Sequence, residues 1–101
     1  MNPLRTAILG CGGFARRHAQ LIGELPAEAQ LVAFCDRNHD RAESYAADFT
    51  DGRAATFTDH HRLIDEVQID LLIICLPPYG HGDEVAYAAS RGVHIFIEKP
   101  I

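Results

Sequence analysis

The sequence predicts an α/β fold, a doubly wound parallel sheet of the Rossmann-like type with strand order 3-2-1-4-5. Three observations carry that expectation. Short apolar runs alternate with helical patterns along the 101 residues, which is the signature of successive βαβ units. A glycine turn, Gly10-Cys11-Gly12-Gly13-Phe14-Ala15, separates the first apolar run from the first helix. An acid, Asp36, closes the second apolar run, roughly twenty residues after that turn, as the dinucleotide fingerprint requires.

The elements follow in order. Ala7-Ile8-Leu9 forms the first strand. Gly10 permits the tight turn, and Gly12 lets backbone approach a phosphate with no Cβ in the way. Ala15 stands where a third glycine often sits, at the contact between helix and strand. The helix behind it points unpaired N–H groups and the positive end of its dipole at the anion. That first helix is expected over residues 14–25, with Ala15, Ala19 and Ile22 buried and Arg16, Gln20 and Glu24 solvated; Pro26 helps to end it. Residues 31–35 make the second strand. The second helix carries Ala42, Tyr45, Ala46 and Phe49 at i, i+3, i+4 and i+7, one buried stripe. Asp51-Gly52 turns the chain out of it.

Residues 54–57 read as a short third strand, followed by a third helix opened by Thr58 or Asp59 and buried through Leu63, Ile64 and Val67. Residues 71–76 are apolar without alternation, so this strand is covered on both faces and central. Pro77-Pro78-Tyr79-Gly80 stops it. A fourth helix is expected from near His81 to Arg91, with Val85, Ala88 and Ala89 inward and Gly92 past its end. Residues 93–97 form the fifth strand. A ligand then belongs in the crevice at the carboxyl ends of the strands, where their order reverses.

Composition narrows the function. A net charge of −5, with nine scattered Lys and Arg residues, argues against nucleic acid or an anionic membrane as partner. No apolar run has the length of a membrane span and the start has no signal-peptide core, so the cytoplasm is expected. Three cysteines without a C-x-x-C pair indicate neither a disulfide framework nor a zinc knuckle, and no metal is expected. Cys11, Cys35 and Cys75 fall near strand ends that would be neighbours, and are read as small buried hydrophobes. Cys11 alone is expected to be reactive, because a helix N-terminus lowers a thiol pKa. His60 and His61 read as solvated, while His18 and His39 have no evident partner.

The last strand runs into Glu98-Lys99-Pro100, with Gly92-Val93-His94 ahead of it. This resembles the G-x-H-V-x-x-E-K-P segment of the glucose–fructose oxidoreductase, inositol dehydrogenase and rhizopine-catabolism (Gfo/Idh/MocA) family. Leu76-Pro77-Pro78-Tyr79-Gly80-His81 is similar to that family's P-P/N-x-x-H segment, although Pro78 stands where asparagine is common. Cys35-Asp36-Arg37-Asn38, followed by Arg41-Ala42, is similar to its second-strand acid and helix. The resemblance spans essentially the whole chain. It implies a domain that binds NAD or NADP, and places Lys99 beside the nicotinamide and the reacting carbon of a sugar-like or polyol substrate. It implies further catalytic groups on a second α/β domain, so that residues 1–101 are the N-terminal part of a larger two-domain protein, a homo-oligomer at full length.

The glycine turn and second-strand acid, taken with what the resemblance implies for the segments after strands four and five, give the expected cofactor set: Gly10, Cys11, Gly12, Gly13, Phe14, Ala15, Asp36, Arg37, Leu76, Pro77, Pro78, His81, Glu98 and Lys99. Asp36 can accept hydrogen bonds from ribose hydroxyls and repel a 2′-phosphate, which favours NAD over NADP, whereas Arg37 works the other way. Lys99, at the carboxyl end of a parallel strand, can orient a substrate hydroxyl and lower its pKa. Glu98 either holds Lys99 or faces solvent, and His81 either serves the cofactor mouth or simply starts a helix. Two other functions fit the same fold: a regulator that senses NAD without chemistry, and a module for another ligand such as a methyl donor or nucleotide sugar.

Overall fold

The computed structural model describes residues 2–76 and 82–98, apart from the side chain of Phe14. Among the described residues, five strands and four helices alternate: β1 (Leu4–Leu9), α1 (Gly13–Gly23), β2 (Ala29–Cys35), α2 (His39–Thr50), β3 (Ala55–Phe57), α3 (His60–Glu66), β4 (Leu71–Ile74), α4 (Glu84–Ser90) and β5 (His94–Ile97). The strands make one parallel sheet in the order β3-β2-β1-β4-β5, as the sequence predicts.

Period-two geometry explains why the central strands read as unbroken apolar runs. Ala7 and Leu9, Ala33 and Cys35, and Leu72 and Ile74 point to one face, where Leu63 and Ile64 of α3 and Ala88 of α4 cover them. Ile8, Phe34 and Ile73 point to the other, against Ala15 and Ala19 of α1 and Ala42, Tyr45 and Ala46 of α2. Each face therefore buries large aliphatic or aromatic side chains, and burial of such groups is the main stabilising term of a domain this size. A bulge between Thr6 and Ala7 shifts the register of β1 on β2, from Thr6 opposite Leu31 to Ala7 opposite Ala33.

The helix ends follow local chemistry. Asn38 caps α2, its side-chain oxygen accepting from the Arg41 N–H, and Asp59 caps α3 by accepting from the His61 N–H. Asp51 and Gly52 leave α2 in the left-handed region, and Gly92 does the same after α4, letting the Val93 N–H reach the Ala88 carbonyl.

One face was assigned differently by the sequence pattern. In α4, Val85 is 39 % exposed and Ala89 is exposed, while Glu84 is buried with Ala88. The Glu84 carboxylate accepts from the Gly82 N–H at 2.7 Å, a local bond that turns the first residue of the helix inward and rotates Val85 out. Helix α4 is also shorter than expected, starting at Glu84. No helix among the described residues is long and apolar enough to cross a membrane.

Candidate cofactor site

The sheet's hydrogen-bond ladder runs past the ends of its strands and sets the site residues side by side. The Gly10 N–H donates to the Cys35 carbonyl at 2.8 Å and the Cys75 N–H to the Leu9 carbonyl at 2.8 Å. The Asp36 N–H donates to the Phe57 carbonyl at 3.0 Å, and the Glu98 N–H to the Ile74 carbonyl at 2.9 Å. The ends of all five strands thus lie side by side at the carboxyl edge, and the strand order reverses between β1 and β4.

Gly10 is the tightest point. Its φ of +95° lies in the glycine region, and a Cβ there would stand 2.8 Å from the Cys75 carbonyl oxygen. Gly12 and Gly13 differ, since a Cβ on either meets nothing within 4 Å. The space over Gly12 belongs to a cleft of about 410 Å³ whose walls include Leu9, Gly10, Asp36, Arg37, Arg41, Thr58, His60 and Leu76. Beneath it, Ala15 is fully buried where a larger side chain would push α1 off the sheet. Gly12, the residue before α1, lines this cleft; the Ala15 N–H donates back to its carbonyl at 3.2 Å, and the first N–H groups of a helix have no partner further inside it.

Asp36 is held firmly. One carboxylate oxygen accepts from the Cys11 N–H at 2.7 Å and the other from the Asn38 N–H at 2.8 Å. A carboxylate offers about four acceptor positions, so two such bonds fix its orientation and leave capacity for ribose hydroxyls. Tyr45 supports the turn from below, its hydroxyl donating to the Gly12 carbonyl at 2.5 Å. Its ring packs edge-on against Phe34 and lies under the Arg16 guanidinium. A glycine loop with open backbone, a helix start and a fixed carboxylate fit a dinucleotide: phosphates at Gly12 and the α1 N-terminus, adenosine ribose at Asp36.

Of the predicted set, Gly10, Gly12, Asp36, Arg37 and Leu76 line the cleft together. Cys11 contributes its backbone N–H while its thiol is buried, and Gly13 opens α1. Glu98 reaches the carboxyl edge, where its carboxylate lies 3.4 Å from Nε2 of His18, a partner that sequence patterning did not supply for either residue. Pro77, Pro78, His81, Lys99 and the Phe14 side chain lie outside the described residues.

The expectation of a reactive Cys11 is overturned. Burial, reinforced by the Asp36 charge, pushes its thiol up to about 12, and the same causes push Cys35 up to about 12. Burial followed by the Glu98 charge raises Cys75 to about 11. Desolvation of a thiolate outweighs the pull of the helix dipole here. His60 and His61 are likewise not simply solvated. Nε2 of each meets a different oxygen of Asp83, at 2.7 and 2.6 Å. His61 is raised by its hydrogen bond to Asp83, and Asp83 is lowered by its bonds from His61 and His60.

The sequence reading missed Arg41, Thr58 and His60 as cleft walls and Tyr45 as a prop. Thr58 and His60 were findable, because they follow the carboxyl end of β3 by the same rule that singled out Asp36 after β2. Tyr45 carried a fainter signal: a tyrosine in a buried stripe needs a hydroxyl partner.

Fold and site together define a dinucleotide-binding domain of the Rossmann type. The family model for the Gfo/Idh/MocA oxidoreductases, described as an oxidoreductase family with an NAD-binding Rossmann fold, matches residues 4–101. The chain belongs to that family, and it is the NAD-binding domain. Over 101 residues it is 35 % identical to scyllo-inositol 2-dehydrogenase (NAD(+)) of Bacillus subtilis, covering 99 % of this chain and 29 % of that protein. It is 32 % identical over 101 residues to dTDP-3,4-didehydro-2,6-dideoxy-alpha-D-glucose 3-reductase of Saccharopolyspora spinosa, with the same coverage. The crystal structure of myo-inositol dehydrogenase from Lactobacillus casei, in complex with NAD(H) and myo-inositol, superimposes with a TM-score of 0.86 at 26 % identity, covering 97 % of this chain and 29 % of that one. The chain spans under a third of the length of these relatives.

Proposed function

We propose that residues 1–101 are the cofactor domain of a two-domain oxidoreductase that transfers hydride between NAD(P) and a hydroxyl or carbonyl of a sugar-like or polyol substrate. The observation that carries the reading is Asp36, fixed by the Cys11 and Asn38 N–H groups at the edge of a cleft floored by Gly12. Membership of an oxidoreductase family favours this reading over an NAD sensor or a module for another ligand. The polyol and sugar names of the relatives support the substrate class. Their greater length supports a second domain; a homo-oligomer at full length is part of the same proposal. A cytoplasmic protein acting on a small molecule, without nucleic acid or membrane as partner, is consistent with the scattered charge.

Bound NAD supplies the hydride acceptor. The chain's residues do the rest in this half of the site. Gly12 and the α1 N-terminus hold the pyrophosphate, and Asp36 and Arg37 frame the adenosine ribose. Lys99, one residue beyond the Glu98 N–H that caps β4, orients the substrate hydroxyl and stabilises negative charge growing on its oxygen. Such an interaction is stronger in the transition state than in the ground state. In the full-length protein Lys99→Met should therefore lower kcat by about 10²-fold or more and change NAD affinity far less. Pre-steady-state hydride transfer measures this, and a rate within a few-fold of wild type removes Lys99 from the mechanism.

A further inference from the structure

We propose that His60, His61 and Asp83 form a binding site for one divalent transition-metal ion of the zinc, cobalt or nickel class, at the junction of α3 with the entry to α4. Their ligand atoms all lie within 4.8 Å of one another. Nε2 of His60 stands 2.7 Å from one oxygen of Asp83, and Nε2 of His61 stands 2.6 Å from the other. The two imidazole rings are 4.3 Å apart, so both nitrogens converge on a single carboxylate.

The donor set chooses the ion. Two imidazole nitrogens and one carboxylate suit borderline first-row cations, whereas magnesium and calcium take oxygen-rich shells. An ion among these atoms would replace the protons that now bridge nitrogen to oxygen. Metal–ligand lengths of about 2.0–2.2 Å require the nitrogens and oxygen to separate by roughly half an ångström. The Asp83 side chain, more than half exposed, has room for that movement, and water completes the shell.

The imidazoles are oriented in advance. Nδ1 of His61 lies 3.3 Å from an Asp59 oxygen, the carboxylate–histidine arrangement that turns Nε2 toward a metal. That same Asp59 oxygen is anchored by the His61 N–H at 2.9 Å. The Tyr87 ring stands edge-on to both imidazoles, with centroids 4.3 Å from His61 and 6.5 Å from His60, which limits their rotation. Because Asp83 is more than twenty residues from its partners, the ion would cross-link two elements and stabilise the folded state by mass action.

Calorimetric titration of the protein with CoCl₂, ZnCl₂ and MgCl₂, joined to the visible spectrum of the cobalt form, tests the site. The expected result is one cobalt or zinc ion per chain, no magnesium binding, and a cobalt spectrum of nitrogen and oxygen ligation. His61→Ala and Asp83→Asn should each weaken cobalt binding at least about tenfold, with unchanged far-UV circular dichroism. His39→Ala, which alters only an exposed pair with Glu43, should leave it intact. Three results would overturn the proposal: no cobalt binding below about 1 mM, binding that survives both variants, or an intense sulfur-to-cobalt absorption that assigns the ion to the cysteines. If either variant proves unfolded, ring nitrogen shifts of His60 and His61 on zinc addition to the wild-type protein decide the matter, and unmoved shifts reject the site.

Discussion

On the proposed function, one side chain, Asp36, serves both the fold and the ligand. Its two backbone bonds tie the end of β2 to the glycine turn after β1, and they hold an anion beside the place where the adenosine ribose belongs. A 2′-phosphate would meet that anion at close range, a repulsion of about 1–3 kcal/mol in a partly solvated cleft. Arg37 and Arg41 line the same cleft and oppose it, but neither is held as rigidly as the carboxylate. NAD should therefore bind more tightly than NADP, and Asp36→Ser should narrow or reverse the preference, as calorimetry with both cofactors would record. Tighter NADP binding by the wild-type protein would contradict this. The cysteines make a different statement. A thiol at about 12 in the fold and near 9 when unfolded stays protonated in the native state while the unfolded chain ionises. The unfolded state then binds fewer protons, so stability is fully present below pH 9 and declines between pH 9 and about 12. Urea midpoints measured across that range should fall with pH, and Cys11→Ala together with Cys35→Ala should flatten the fall. In the native protein at pH 8, Cys11 and Cys35 should resist a thiol reagent that labels them rapidly in denaturant.

The strand–turn–helix unit of β1 and α1 separates two roles that glycine plays in one motif. Gly10→Ala forces a side chain into the left-handed region and against the Cys75 carbonyl, so a loss of about 2–5 kcal/mol in unfolding free energy is expected. Gly12→Ala has open space for its methyl group and should stay within about 1 kcal/mol of wild type. That methyl group would sit where phosphate must approach, so NAD affinity should fall by at least about tenfold. Denaturant unfolding and calorimetry on the two variants check the contrast; equal stability losses would refute it. Elements of this kind were legible in the sequence because their signals are local. Strand order came from the glycine turn and the unbroken run at Leu71, and Asp51 and Gly52 fall where α2 ends. The inward face of α4 was not legible. Seven helical residues with Val85, Ala88 and Ala89 spaced compatibly do not fix a phase, and the bond from Gly82 to Glu84 leaves no hydrophobic trace. The meeting of His60 and His61 with Asp83 was hidden for another reason, since it joins positions more than twenty residues apart.

At the scale of the whole domain, cofactor binding and chemistry should come apart. The groups proposed to hold a dinucleotide, Gly12 and Asp36 among the described residues, lie on strand ends that one sheet brings to one edge, so this part of the proposed site forms once the sheet has folded. Hydride transfer asks for more: a substrate hydroxyl held against the nicotinamide, and water kept away. Residues 1–101 should accordingly bind NAD, and at a cofactor concentration of a hundred times Kd the fold should gain about 2.7 kcal/mol by mass action, visible as a raised Tm. The same residues alone should show no dehydrogenase turnover with inositols or sugars, because the proposed mechanism places the substrate against the nicotinamide from a second domain. Fluorescence titration with NADH, a thermal scan with NAD, and absorbance at the NADH band on one preparation make the test. A raised Tm with flat absorbance supports the separation. Steady NADH formation above a Lys99→Ala control would show that this domain alone carries substrate binding as well. An unchanged Tm together with no calorimetric signal would instead remove the cleft at Gly12 and Asp36 as the cofactor site.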